Sequence, residues 1–193
     1  MERARAYGGK ITLRRLLFLA LWIGATMGWS ALAHSQSSEK YQEYHVKAVF
    51  LYNFARFIEW PPEPGQGSQS PFIIGILGKD PFGEGLDLLK GKAIQGRELV
   101  IKRFPRLDDL EKCHILFISA SEKNQLPKIL KAVEKFKTLT IGDVEGFTQA
   151  GGSINFFIEE QNIRFEINLK ASQRQGVKIS SQLLKLARII REN

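Results

Sequence analysis

The pattern of apolar positions changes period along the chain, and each change predicts a different element. Between residues 41 and 60 apolar side chains recur every three to four positions, which predicts a helix that Pro61 and Pro62 terminate. The inward positions are Tyr44, Ala48, Leu51, Tyr52, Ala55 and Ile58, and the opposite face holds Val46, Val49, Phe50, Phe54 and Phe57. A helix that is apolar almost all round is buried. We therefore expect this helix to pack on a sheet and also to touch a second subunit or a partner.

Short apolar runs alternate with helical segments through the middle of the chain. The predicted strands cover residues 72–77, 99–104, 114–119 and 139–142, and the predicted helices cover 81–90 and 128–136, with a helical turn at 107–112. Strands that alternate with helices are typical of right-handed parallel crossovers, so we expect the four strands to lie in one doubly wound sheet. The stretch 61–71 carries four prolines and predicts an exposed loop.

The pattern of apolar and polar positions changes in the last forty residues. Residues 153–159 and 163–168 alternate apolar and polar positions and predict a β-hairpin joined by Glu160, Gln161 and Asn162. Asn168 can cap a helix over 169–175 that Gly176 ends, and a last helix begins at Ser180 or Ser181. That last helix would carry Leu183, Leu184, Ala187 and Ile190 inward. The predicted fold is a single three-layer α/β domain, with a mostly parallel central sheet, a C-terminal β-hairpin and flanking helices.

The first residues have the order of a secretory signal peptide. A basic head precedes an apolar run over residues 16–29, and Ala31 and Ala33 occupy the small-residue positions of a cleavage site. The alternative is an uncleaved membrane anchor, but a spanning helix needs about 20 apolar residues. This run is shorter and is broken by Gly24 and Gly28. We expect cleavage after Ala33, a signal peptide over 1–33 and a periplasmic domain over 34–193.

Cleavage of the predicted signal peptide would lower the positive net charge of the chain. The formal net charge is +8, but five of the 28 basic residues and one of the 20 acidic residues precede residue 34. No cluster of Lys and Arg suggests a nucleic-acid partner. Cys113 is the only cysteine, so an intramolecular disulfide is excluded. The three histidines, His34, His45 and His114, have no metal-ligand spacing, so we expect neither metal nor cofactor.

Two loops are candidate ligand sites, because ligands in open α/β sheets bind at the carboxyl ends of strands. The first contains Gly78, Asp80 and Phe82, and the second contains Gly142 and Asp143. The structural alternative is that both are turns, since Asp80 is a preferred helix cap and would repel an anion. Asp143 could be a general base, but a turn or cap role is the simpler interpretation.

A polar row follows the predicted hairpin. Arg164, Glu166 and Asn168 alternate with apolar residues on one strand, and Asn155 lies on the neighbouring strand. Such a row is either an ordinary solvated face of the sheet or a recognition surface on a rigid scaffold.

Taken together, several segments resemble the YfiR family in order along the chain. They are the run from Val46 to Pro61, Gly78 to Gly83, Cys113 to Ser119, Gly151-Gly152 through Asn155-Phe156, and Arg164 to Leu169 followed by Val177 to Ile189. The resemblance implies a periplasmic homodimer without known catalysis that binds the sensor domain of an inner-membrane diguanylate cyclase and holds it inactive. Release, prompted by an outer-membrane lipoprotein or redox stress, would raise cyclic di-GMP and favour biofilm.

The resemblance also implies a partner surface in the C-terminal part. Its residues would be Ile154, Asn155, Phe156, Arg164, Glu166 and Asn168. Well-studied relatives carry two disulfides, one of them where this chain has Thr148 and Asn155, and only Cys113 remains of the other. Redox sensing through an internal disulfide is therefore excluded here, and the release trigger must differ or involve an intermolecular bond through Cys113.

We interpret the chain as a regulatory module that occupies a membrane receptor's sensor domain, and not as an enzyme. One alternative is a periplasmic sensor that presents a small molecule to a receptor through the loops at 78–83 and 142–152. A second alternative is a hydrolase that uses Asp143 or Asp80.

Overall fold

The computed structural model describes residue 39 and residues 41–61 and 70–191. The chain divides into two compact units, Met1–Gln42 and Glu43–Asn193. Of the first unit only Glu39, Tyr41 and Gln42 are described, and all three are helical. The predicted signal peptide and most of the predicted 61–71 loop lie outside the described residues.

The described residues form ten strands and four α-helices. The strands are β1 (Ile58–Glu59), β2 (Phe72–Leu77), β3 (Ala93–Ile94), β4 (Arg97–Phe104), β5 (Ile115–Ile118), β6 (Leu139–Gly142), β7 (Ile154–Glu159), β8 (Asn162–Asn168), β9 (Lys178–Ile179) and β10 (Arg188–Ile190). The helices are α1 (41–57), α2 (Leu126–Val133), α3 (Leu169–Arg174) and α4 (Ser181–Leu186).

Eight of these strands form one sheet in the order β10-β8-β7-β6-β5-β2-β4-β3. The four strands predicted from apolar runs, β2, β4, β5 and β6, lie side by side and parallel, as a doubly wound sheet requires. β7 continues the sheet parallel to β6, and β8 returns antiparallel to β7 as the predicted hairpin. The mixed α/β fold with a mostly parallel sheet and a C-terminal hairpin is therefore confirmed.

The core has one layer on each face of the sheet. The larger layer packs α1 through Ala48, Leu51 and Phe54 against the strands. The smaller layer packs α2 through Ile129 and Val133 against the opposite face. Helices on both faces leave the loops at the strand ends as the places where a site can form.

Several predicted helices differ from the structure in extent or type. The segment 81–90 is a 3-10 helix over Gly83–Leu89, because Asp80 Oδ1 accepts from the Phe82 N–H at 2.8 Å in a local turn and Gly83 has a φ of 52°. α1 ends at residue 57 and not 60, because the next two residues form β1 and pair antiparallel with β9.

The last helix also ends earlier than predicted. α4 stops at Leu186, and β10 then pairs parallel with β8, so Ala187 and Ile190 are not helical. Leu183, Leu184, Ala187 and Ile190 have the spacing of one helix, but in the structure a short helix is followed by a strand. Asn168 caps α3 as predicted, since its Oδ1 accepts from the Ala171 N–H at 2.9 Å.

The hairpin turn is tighter than predicted. Glu159 pairs with Asn162, so only Glu160 and Gln161 form the loop, with φ values of 49° and 63°. Both residues therefore lie in the left-handed region that a two-residue turn of this hand requires. Over the described residues, none of the helices combines the length and apolar character needed to cross a membrane.

Candidate functional site

A buried lysine lies at the centre of the candidate site. Lys47 is on α1, and its Nζ donates to Asp143 Oδ2 at 2.8 Å and to Glu43 Oε1 at 2.5 Å. The side chains of Lys47 and Asp143 are only 4% and 6% exposed. A buried ammonium requires such carboxylate partners, because an unpaired charge away from water is strongly unfavourable. The pair therefore fixes α1 to the loop that follows β6.

Tyr44 joins the two loops predicted as a ligand site. Its hydroxyl donates to Asp143 Oδ2 at 2.7 Å, and its ring packs edge-on against Phe82, with ring centroids 5.3 Å apart. Burial and the hydrogen bond to Asp143 raise the pKa of Tyr44 well above its usual range. Phe82 and Asp143 are thus both in contact with one residue of α1.

The remaining residues of the first loop have structural partners. The space at Gly78 is filled by Ser121 and Glu122, since a Cβ there would lie 2.5 Å from Ser121 Oγ. Asp80 Oδ2 accepts from Arg103 Nε at 2.7 Å. These contacts account for both residues as parts of a turn, and a ligand role for the loop stays a prediction.

Gly142 shapes the second loop together with Gly152. The ring of Phe147 lies where their side chains would be, because an added Cβ would come within 2.5 Å of the ring at Gly142 and 2.1 Å at Gly152. Phe147 is fully buried in the smaller core layer. The loop between β6 and β7 is therefore anchored by one aromatic ring between two glycines.

Of the two alternatives for the polar row on the hairpin, the solvated face is wrong for three of the four residues. Asn155, Glu166 and Asn168 are buried, and only Arg164 is exposed. These residues are buried by segments that are distant in sequence, because β10 covers the edge of β8 and the β6–β7 loop covers its end. Thr148 of that loop donates from Oγ1 to Glu166 Oε1 at 2.5 Å, and its carbonyl accepts from Asn168 Nδ2 at 2.9 Å.

The other predicted partner residues are also inside the domain. Ile154 and Phe156 are buried in the larger core layer, where Phe156 stacks on Phe54 with centroids 5.6 Å apart. Within one copy of the chain, Arg164 alone among the six predicted residues is open to direct contact. A role of this group in partner binding stays a prediction.

A cavity of about 280 Å³ opens beside the buried lysine pair. Its lining includes Asp143, Gln149, Asn155, Phe157, Glu166 and Arg188. Asp143 Oδ1 and Asn155 Oδ1 are buried without a hydrogen-bond partner among the described residues. In the same part of the chain, no three His, Cys, Asp or Glu side chains are placed to hold a metal ion. Two of the lining residues therefore carry a buried acceptor oxygen without a partner among the described residues, which suits a neighbouring group with N–H donors.

Apolar side chains are exposed on the outer face of α1 and at the end of α4. Val46, Val49 and Phe57 on α1 are exposed, and Leu186 on α4 is 70% exposed. The sequence predicted the exposed valines and Phe57 correctly, but it placed Phe54 on the same outer face, and Phe54 is fully buried. Lys47 was missed as a site residue, although a charged residue that shares a helix face with the inward positions Tyr44 and Leu51 is a usable signal.

Cys113 is buried and has no disulfide partner. Burial raises the pKa of its thiol to about 12. The thiol is therefore protonated at neutral pH, as expected for a cysteine that packs and does not react.

Comparison with known families gives a match over most of the domain. A model of the YfiR/HmsC-like family matches residues 44–188. Among solved structures, a conserved domain protein from Vibrio cholerae O1 biovar El Tor shares 16% identity at a TM-score of 0.48, over 63% of this chain and 55% of that one. The ABC domain in complex with L-Trp from Streptococcus pneumonia shares 14% identity at a TM-score of 0.47, over 61% of this chain and 55% of that one. The matched region thus spans about half the length of these two structures.

Proposed function

Because the chain belongs to the YfiR/HmsC-like family, we propose that it is a periplasmic regulator that binds the sensor domain of an inner-membrane diguanylate cyclase and holds that receptor inactive. The family is regulatory rather than catalytic. The chain would act through protein contact, with an outer-membrane lipoprotein as a candidate releasing partner and a homodimer as the candidate assembly.

The observation that supports binding to a protein is the exposed apolar surface of α1 and α4. Val46, Val49, Phe57 and Leu186 offer large apolar side chains to solvent on neighbouring elements. Single exposed apolar residues are ordinary, but a group of them marks an interaction site. A regulator without chemistry of its own needs such a surface.

Repression would work as a shift of population between two receptor states. The regulator must bind the inactive state more tightly than the active one, since equal affinity for both would change nothing. A shift from about 99% active to about 99% inactive requires a preference of about 5.5 kcal/mol.

Deleting the gene tests the regulatory role. We expect intracellular cyclic di-GMP to rise several-fold, and the rise to vanish in a strain that also lacks the cyclase. Expression of the chain in the periplasm should restore the low level, whereas expression without residues 1–33 should not. An unchanged level of cyclic di-GMP in the deletion strain would contradict the proposal.

The predicted export has its own test. N-terminal sequencing of the protein from a periplasmic fraction should begin at His34. A chain that retains Met1 or fractionates with the cytoplasm would refute the predicted localisation.

A second candidate is a sensor that presents a small molecule to the receptor. It is favoured by the cavity beside Asp143, where two buried acceptor oxygens have no partner among the described residues. Buried polar atoms usually have a partner, so such atoms beside a cavity suit a ligand with N–H donors. A panel of small primary amines should then raise the melting temperature of the protein saturably, and Asn155→Leu should abolish the rise. No shift with any amine at millimolar concentration would exclude ligands of this class.

A further inference from the structure

An open apolar groove separates α1 from α4. It encloses about 190 Å³ and is lined by Phe50, Asn53, Phe57, Phe165, Leu183 and Leu186. Phe165 and Leu183 are buried, whereas Phe57 and Leu186 are exposed. Apolar side chains thus line both the floor and the outer edges of a concavity open to solvent.

The apolar surface continues from the groove along α1. Val46, Val49 and Phe50 precede Asn53 and Phe57 at spacings of three and four residues, which places them along one side of the helix. Helices pack on one another through stripes with this spacing. The surface therefore suits a second helix lying along α1 with one side chain in the groove.

A cation stands next to a groove-lining residue on each helix. Arg56 shares a helix face with Val49 and Asn53, and its guanidinium carbon lies 5.8 Å from the centroid of the Phe57 ring. Lys185 precedes Leu186 on α4 and is exposed. Among the described residues, neither Arg56 nor Lys185 has an ion-pair partner.

The carboxylates of α1 and of β1, which follows it, are already paired. Glu43 accepts from Lys47, and Glu59 accepts from Lys178. The two cations beside the lining residues therefore favour, by complementary charge, an occupant with carboxylates next to an apolar anchor.

We propose that the α1–α4 groove docks an amphipathic helix of the receptor's periplasmic domain, with one large apolar side chain in the groove and carboxylates facing Arg56 and Lys185. The proposal rests on the proposed function and adds the surface and the chemistry of the contact. The volume supports a side chain, since a cavity of about 150 Å³ already holds a benzene ring. Laying a helix into an apolar groove is a common mode of peptide recognition.

The test uses the full mature chain and the purified periplasmic domain of the diguanylate cyclase from the same genome. Leu186→Asp should weaken binding at least tenfold, because it places a carboxylate in the apolar contact. The matched control is Leu88→Asp, since Leu88 is similarly exposed at 50% but lies in the 3-10 helix Gly83–Leu89. The control should bind like the wild type, and all variants should melt at the wild-type temperature.

Charge reversal tests the second part of the proposal. The double variant Arg56→Glu, Lys185→Glu should bind at least tenfold more weakly at low salt, mainly through a slower association rate. The difference from the wild type should shrink at high salt, because exposed charges are screened.

The outcomes separate this inference from the proposed function. Wild-type affinity for Leu186→Asp would overturn the groove as the docking site and leave the regulatory role intact. A wild-type chain that binds no cyclase domain would contradict both. If Leu186→Asp instead converts a dimer to a monomer and leaves receptor binding unchanged, the groove is an interface between copies and the proposal is wrong.

Discussion

Lys47 and Asp143 form a buried ion pair that joins α1 to the end of β6 across 96 positions of sequence, with Nζ and Oδ2 2.8 Å apart. Lys47 belongs to the helix that carries the exposed apolar surface, and Asp143 lines the cavity. The pair thus links the two candidate surfaces. The ion pair fixes where that helix lies relative to the loop.

Removing one partner of this ion pair should lower the stability of the fold. Lys47→Met should lower the free energy of unfolding by about 3 kcal/mol, because Asp143 then remains buried without its cation. Urea unfolding followed by circular dichroism measures the change. The matched control is Lys178→Met, which removes the exposed pair with Glu59 and should cost less than about 1 kcal/mol. Equal effects of the two substitutions would contradict a buried role for Lys47.

Replacing both partners should restore stability. The double variant Lys47→Met, Asp143→Leu should recover most of the loss, since an apolar pair of similar volume needs no charge compensation. A double variant that is less stable than Lys47→Met would indicate that the Tyr44 hydrogen bond to Asp143 dominates.

Tyr44 should make the fold sensitive to alkali. Its pKa is higher in the folded chain than in the unfolded one, so its contribution to stability is fully present below about pH 10 and is lost as pH rises above that value. The loss should approach about 1.4 kcal/mol per pH unit. Unfolding free energies of the wild type and Tyr44→Phe at several alkaline pH values give the test. Parallel curves for the two proteins would contradict it.

The contact of Phe147 with two glycines predicts a large effect of a single methyl group. Gly152→Ala should cost about 2 kcal/mol or more, because the new Cβ would lie 2.1 Å from the ring. Gly85→Ala is the control, since its Cβ would meet only His45 at 3.4 Å, and it should change stability by less than about 1 kcal/mol. Melting curves of both variants decide the matter, and a fully stable Gly152→Ala would refute the close packing.

Cys113 should be unreactive in the folded chain. With a thiol pKa of about 12, roughly one molecule in ten thousand carries the thiolate at pH 8. Ellman's reagent should therefore label the protein rapidly in urea and only slowly without it. Cys113→Ala should respond to oxidants as the wild type does, and a lost response would reassign the redox trigger to this cysteine.

The sequence predicted the elements that have a strong local signal. β2 and β6 were correct to the residue, because β2 is an unbroken apolar run and β6 is a short stretch of strand-forming residues that ends at Gly142. β1, β3, β9 and β10 were missed, since strands of two or three residues show no period. These short strands form because another strand pairs with each of them in the folded chain.

The candidate site was harder to predict for the same physical reason. The alternation of apolar and polar residues along β8 correctly separated the two faces of the strand, but it predicted that Glu166 is exposed to solvent. In the structure β10 and Thr148 cover Glu166. Burial of a polar side chain by a distant segment leaves no local pattern. The pairing of Lys47 with Asp143 is likewise a product of the fold, since the two residues belong to separate elements.

The hairpin turn at Glu160 and Gln161 shows where this protein can be improved. Each is a non-glycine residue in the left-handed region, a conformation that disfavours an ordinary side chain by about 1 kcal/mol or more. Asn-Gly is the pair that such turns prefer. Substituting Asn-Gly for these two residues should therefore increase the stability of the protein, for example for crystallisation. It would leave the residues of every candidate contact surface unchanged.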